Sequence, residues 1–267
     1  MLIKSEHNGH LLEHDEEEHI YKLDGKFLTG VTTILGGGYP KSQFLIDWQI
    51  KQGARWSLAE WDQLGCDGGK FEEIVKESPK AYKIELNKAA DIGTVVHDYM
   101  YHTEAKKPFN LKEHLEQFDT GARKATFTAL RQGKKWLKEN ADEILGLELL
   151  VCSPKYLFAG RFDRLSNRKG VITLTDYKTS SGFYITQFIQ LAAYCIALEE
   201  WLGIIVEDIE IVRFDKKTGK LTTRNLAQLA NTVGLKSETT LKRLKDQFKI
   251  ILDTVKFKEK FDKYIRK

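Results

Sequence analysis

The chain has 267 residues, of which 42% are hydrophobic and 30% charged, which is apolar enough to bury a sizeable core and excludes disorder as a class. The formal net charge of +4 is unevenly spread, with two basic and seven acidic side chains in residues 1–24 against eleven basic and five acidic in residues 236–267, so a polyanion would be welcome at the C-terminal end, although a Lys-rich helix is more often a solvated face. Cys66, Cys152 and Cys195 lie far apart with no Cys-x-x-Cys, fitting neither a disulfide framework nor a zinc site, and no apolar run approaches the roughly 20 residues of a membrane span, so the expectation is a soluble, non-secreted, cytoplasmic protein without a membrane partner.

Residues 1–35 read as short strands and turns, with Asp24-Gly25 as a hairpin turn ahead of the β-branched run Val31-Thr32-Thr33-Ile34-Leu35; Gly36 to Pro40 then breaks the chain. His7, His10, His14 and His19 are interleaved with acidic residues here, but their spacing fits no rigid metal site and reads as a solvated strand or turn. From Ser42 to about Tyr101 the pattern is mostly helical, interrupted around Gly65 to Gly69 and at Ser78-Pro79, with aromatics that suit packing between helices. A long amphipathic stretch from Leu115 to Asn140 precedes three strands, Ile144 to Cys152, Tyr156 to Leu165 and Val171 to Lys178. Helical spacing returns over Phe183 to Trp201, a hairpin joins Val206 to Phe214 with Leu221 to Asn225, and a helix from Ser237 to Tyr264 closes the chain.

Asp-x-Lys occurs three times, at Asp24, Asp176 and Asp215, and context separates the copies. The first spans a turn and the third opens a hairpin loop, so both read as solvated turn residues. Asp176, in contrast, follows the β-rich run Val171 to Thr175, and the strand period of two puts Asp176 and Lys178 on one face. The preceding strand carries Gly160-Arg161-Phe162-Asp163, and a turn over Asn167 to Gly170 pairs the two strands antiparallel, with Asp163 opposite or close to Asp176. Carboxylates held together on buried strand ends repel unless a cation lies between them, and oxygen-rich ligation suits magnesium or manganese. Such a centre can hydrolyse a phosphodiester, with Lys178 orienting the attacking water or neutralising charge on the phosphate. Gln187, Gln190 and Tyr194 share one stripe of the next helix and serve there as supports for Lys178 or as phosphate contacts.

The ordered series Gly93-Thr94-Val95-Val96-His97, Glu148, Gly160 to Asp163, Asp176-Tyr177-Lys178-Thr179 and Gln190 to Tyr194 resembles the RecB-like branch of the PD-(D/E)XK nucleases. Within that branch it is similar to stand-alone phage-encoded exonucleases and to the mitochondrial genome-maintenance exonuclease. The resemblance implies an α/β fold: a restriction-endonuclease-like core, with a mixed central sheet flanked by helices, an N-terminal mostly helical subdomain and a C-terminal helix. It implies an N-terminal hairpin and helical subdomain over 1–88, a nuclease core over 89–225 and a basic helix over 226–267. It further implies a metal-dependent DNA exonuclease acting from single-stranded or partly single-stranded DNA ends, with roles in repair or recombination, in the host cytoplasm if the gene is a phage's. His97, Asp163 and Asp176 would ligate Mg2+ or Mn2+ together with the Tyr177 carbonyl; Lys178 would be catalytic and Glu148 would assist metal binding or water activation. Gln190, Tyr194 and Arg161 would contact DNA. Some relatives carry a four-cysteine iron–sulfur cluster, and three cysteines are too few for one. The alternatives are an endonuclease on the same fold, or a DNA-binding or anti-defence module on a nuclease scaffold.

Overall fold

The structure, a computed structural model, describes residues 2–40, 43–64, 68–80, 82–116, 118–215 and 217–265. By compactness the chain divides into two units, one of Met1–Tyr39 with Val95–Lys267 and one of Pro40–Thr94.

The first unit opens with an antiparallel meander of β1 (Leu2–His7), β2 (His10–Asp15), β3 (Ile20–Leu23) and β4 (Lys26–Gly30). Asp24 and Gly25 have φ of 49° and 77°, so both central residues of the β3–β4 turn are left-handed, as a two-residue hairpin turn matched to strand twist requires. The β-branched run after it is not extended but forms α1 (Val31–Gly38). Propensity is overridden by burial: Val31 and Ile34, a helical step apart, are 1% and 0% exposed. Burying two such side chains contributes roughly 1.5–3 kcal/mol each, against a helix penalty of roughly 0.5 kcal/mol each. The Gly36 to Gly38 stretch continues the helix, because α1 lies close on α9 (Ser237–Ile265): a Cβ at Gly38 would stand 2.7 Å from Val255 Cγ2 and 2.8 Å from Ile251 Cγ2.

The unit continues with α5 (Leu111–Leu115), α6 (Thr120–Glu139), β5 (Glu143–Ser153), β6 (Phe158–Arg168), β7 (Val171–Thr179), α7 (Ile185–Leu202), β8 (Asp208–Phe214), β9 (Leu221–Asn225) and α8 (Leu226–Thr232), then α9. Asp119 caps α6 by accepting from the Ala122 N–H, which satisfies one of the four orphan donors at that end. The strands form one mixed sheet of order β1-β2-β3-β4-β6-β7-β8-β9, with β5 also paired to β6. Strands β7 and β8 are parallel, so a crossover must join them, and α7 is that crossover. Most of its residues from Gln187 to Leu198 are buried, which is why its sequence is apolar nearly all round.

Pairing along β6 positions the site. Strand β5 lies along β6 from Phe158 to Asn167. The other edge of β6 meets β4 at Phe158 and Ala159 and β7 from Arg164 to Arg168. Residues 160–163 therefore sit in an opening between β4 and β7, and they are the Gly-Arg-Phe-Asp motif.

The second unit holds α2 (Gln43–Leu64), α3 (Gly68–Glu77), a 3-10 turn (Ser78–Lys80) and the first part of α4 (Tyr82–Glu104). The expected interruption at Ser78-Pro79 is that turn, and it packs closely on α2: a Cβ at Gly53 would stand 2.9 Å from the Ser78 carbonyl oxygen. Cys66 and part of the expected break around Gly65 to Gly69 lie outside the described residues. No helix among the described residues is long and apolar enough to cross a membrane.

Candidate active site

The β6–β7 ladder pairs Arg164 with Thr175 as its last rung toward the site. One step further, where Asp163 and Asp176 would face each other, the Tyr177 N–H donates to Asp163 Oδ2 at 2.6 Å instead. The carboxylate thus replaces a backbone acceptor, and the strands open around it. On the opposite side of β6, Leu147 pairs with Arg164 and Leu149 with Phe162, which leaves Glu148 across from Asp163. Glu148 has φ of 50°, a left-handed conformation that costs a non-glycine residue on the order of 1–2 kcal/mol. Helix α4 contributes His97, whose Nδ1 lies 3.3 Å from Asp163 Oδ2. One ligand atom from each of His97, Glu148 and Asp163 lies within 4.8 Å of the others.

Asp176 and Lys178 share a face of β7, as alternation requires, and their side chains form an ion pair at 2.6 Å. Asp176 Oδ2 is fully buried with the Lys178 ammonium beside it, and that proximity sets the electrostatics. Burial, with the Asp163 charge adding to it and Lys178 opposing, raises the Asp176 carboxyl to about 6. Burial and then the Asp163 charge raise Glu148 to about 7 against the pull of Arg161. Burial would also raise Asp163, but the neighbouring His97 and Lys178 charges hold it below the usual carboxylate range. For His97 burial acts downward and is outweighed by the Asp163 charge, which lifts the imidazole to about 9. Lys178 is raised because Asp176 and Asp163 outweigh its desolvation, so it stays an ammonium. The imidazole of His97 and the carboxylates of Glu148 and Asp163, with ligand atoms this close together, fit a hard divalent cation.

Of the residues expected to contact DNA, Arg161 and Gln190 are partly exposed and Tyr194 is buried. Arg161 bridges Glu16 at 2.7 Å and Glu148 at 3.0 Å, so its charge is spent inside the protein, holding Glu148. Tyr194 is 3% exposed, its hydroxyl accepts from Gln190 Nε2 at 3.0 Å, and its ring packs on Gly160, where a Cβ would stand 2.5 Å from Tyr194 Cε1. Gln190 is partly buried. The Gly-Arg-Phe-Asp and Gln-x-x-x-Tyr motifs thereby touch each other. His14, read as solvated, is buried and stacks on Tyr21 with ring centroids 4.1 Å apart; the strand it sits on covers the core.

Sequence reasoning missed the supports. Arg164, fully buried, donates from Nε to Glu104 at 2.8 Å, pairs with Asp142 at 3.3 Å and lies over the Trp136 ring. The Tyr177 hydroxyl donates to the same Glu104 at 3.3 Å. Glu104 is seven residues after His97, hence two turns along one stripe of α4. An Arg in an apolar strand beside a motif Asp was the available signal.

Among known proteins, a family model described as the PD-(D/E)XK nuclease superfamily matches residues 71–261. No curated protein matches the chain. Similar solved structures include one described as a "Putative exonuclease" from Eubacterium rectale, with 15% identity over 63% of this chain and 68% of that one and a TM-score of 0.38. Another is SSO0001, with 13% identity over 78% of this chain and 86% of that one and a TM-score of 0.28.

Proposed function

Because the chain belongs to the PD-(D/E)XK nuclease superfamily, whose members act with divalent metal ions, we propose that it is a metal-dependent DNA exonuclease acting from single-stranded or partly single-stranded DNA ends. The observation that carries this reading is the opened β6–β7 ladder, which gathers His97, Glu148 and Asp163 beside the Asp176–Lys178 pair. His97, Asp163 and Asp176 are the proposed ligands of Mg2+ or Mn2+, with the Tyr177 carbonyl as a further donor. The bound ion supplies positive charge at the phosphoryl oxygens and acidifies water.

The chain's own groups divide the remaining work. Lys178, kept protonated by Asp176, is a fixed positive charge and not a base, so it stabilises negative charge that grows on the phosphate. Glu148, gripped by Arg161 beside Asp163 and His97, is the group proposed to take the proton of the attacking water. Arg161 and Glu16 keep Glu148 from swinging out of the site. Tyr194, buried against Gly160 and hydrogen-bonded by Gln190, braces the Gly-Arg-Phe-Asp segment.

The test is digestion of end-labelled linear DNA in magnesium or manganese by the wild type, Asp176→Ala and Lys178→Ala. The expected result is metal-dependent shortening from the ends, lost by at least about a hundredfold in both variants, with circular single strands left intact. Digestion surviving both substitutions overturns the site, and nicking of closed circles replaces the exonuclease reading with an endonuclease.

A further inference from the structure

We propose that Arg224, on the edge strand β9, binds a backbone phosphate of the nucleic-acid strand lying across the site; the proposal rests on the nuclease reading above. A strand is held in register by cations on its phosphates, and most cations around this centre are already engaged. Arg161 is paired with Glu16 and Glu148, and Lys178 with Asp176. Arg213 is held by the Ser180 carbonyl at 2.9 Å, Thr222 at 3.1 Å and Asp215 at 3.4 Å. Arg224 makes no hydrogen bond or ion pair among the described residues; its one contact of this kind is with the Phe183 ring, whose centroid lies 5.0 Å from the guanidinium carbon.

The register places it. Asp176 pairs with Ile211 and Ile211 with Arg224, while Lys178 pairs with Arg213 and Arg213 with Thr222. Residues in register on neighbouring strands share a face, so Asp176, Lys178, Arg213 and Arg224 lie on one face of the sheet. At roughly 4.8 Å per strand, Arg224 is about 10 Å from Asp176 along the backbone row, or about three nucleotides at the 3.4 Å rise of a stacked strand. Phe183, on the loop that leaves the catalytic strand, also carries Arg213, at 5.4 Å. One ring therefore steadies both guanidinium groups, with Arg213 fixing the loop and Arg224 keeping all its N–H donors for a bidentate phosphate contact. Strand β9 ends the sheet path, so no further described strand covers this edge.

The test is equilibrium binding of a fluorescent oligothymidylate in EDTA, over a range of salt, by the wild type, Arg224→Ala and Arg224→Lys, each checked for an unchanged thermal midpoint. Arg224→Ala is expected to weaken binding about tenfold and to reduce the slope of log affinity against log salt by about 0.7, whereas Arg224→Lys keeps the slope. In a second arm, single methylphosphonate linkages are walked along the oligonucleotide. One position should weaken the wild type and leave Arg224→Ala unaffected. Equal affinity and slope in wild type and Arg224→Ala, or no such position, overturns the proposal while leaving the nuclease reading in place. A wild type that neither binds nor cuts DNA overturns both.

Discussion

Glu148 is the residue whose backbone pays for its place. A left-handed φ inside a strand is tolerated where surroundings over-determine it, and here Arg161 grips the carboxylate while β5 pairs on both sides. The result sets a glutamate beside an aspartate and a histidine, and their proton affinities predict how metal binding responds to pH. Protons on His97 (about 9), Glu148 (about 7) and Asp176 (about 6) compete with a cation. Apparent affinity should therefore rise as pH rises from 6 to 9, by up to about tenfold per pH unit for each proton displaced. Calorimetric titration with Mn2+ in buffers of differing ionisation enthalpy counts those protons, and an affinity flat across that range would be incompatible with this cluster as the metal site. Asp163, Asp176 and Lys178 were legible in the sequence because strand alternation and a short turn are local. Glu148 and His97 were not legible from spacing, because each reaches the site from another element and only the resemblance pointed to them.

At the scale of elements, α4, β6 and β7 are tied by one largely buried carboxylate. Glu104 receives Arg164 from the strand that carries Asp163 and the Tyr177 hydroxyl from the strand that carries Asp176 and Lys178. It sits on the helix that carries His97, so the three elements are held together two turns away from the ligand. Glu104→Ala leaves the Arg164 guanidinium buried with Asp142 as its remaining carboxylate, and should cost about 3 kcal/mol of stability. Tyr177→Phe removes one hydrogen bond and should cost about 1 kcal/mol. Urea unfolding of both proteins checks the ranking, and a larger loss for Tyr177→Phe would contradict it. The elements themselves were largely readable: β5, β6, β7, α6, α7 and α9 all fall within a few residues of their sequence patterns. Helix α1 was not, since Val31 to Leu35 looks like a strand until α9 is packed against it.

Across the whole molecule, the four N-terminal strands extend the central sheet. Leu12 and Leu28 belong to the same buried cluster as Phe158, Phe162 and α7, and Glu16 in the β2–β3 turn holds Arg161. Removing residues 1–24 should lower stability by several kcal/mol, roughly the 2–5 kcal/mol of a deleted core leucine plus the freed Arg161. Thermal melting of the truncated protein tests this, and an unchanged midpoint would mean that these strands are an appendage. The sequence by itself determined the order of most strands and helices along the chain and the pair of acidic strand ends with a lysine, because each is written in local periodicity and turn chemistry; the mixed sheet was implied by the family resemblance. Tertiary structure alone decided that Arg161 pairs with Glu16 and Glu148 and that Tyr194 is buried, that Val31 begins a helix, that Arg224 has no ion pair among the described residues, and that Glu104 ties the site's elements together. Those outcomes depend on which distant partner satisfies a charge or covers an apolar face, and no window of sequence contains both members of such a pair.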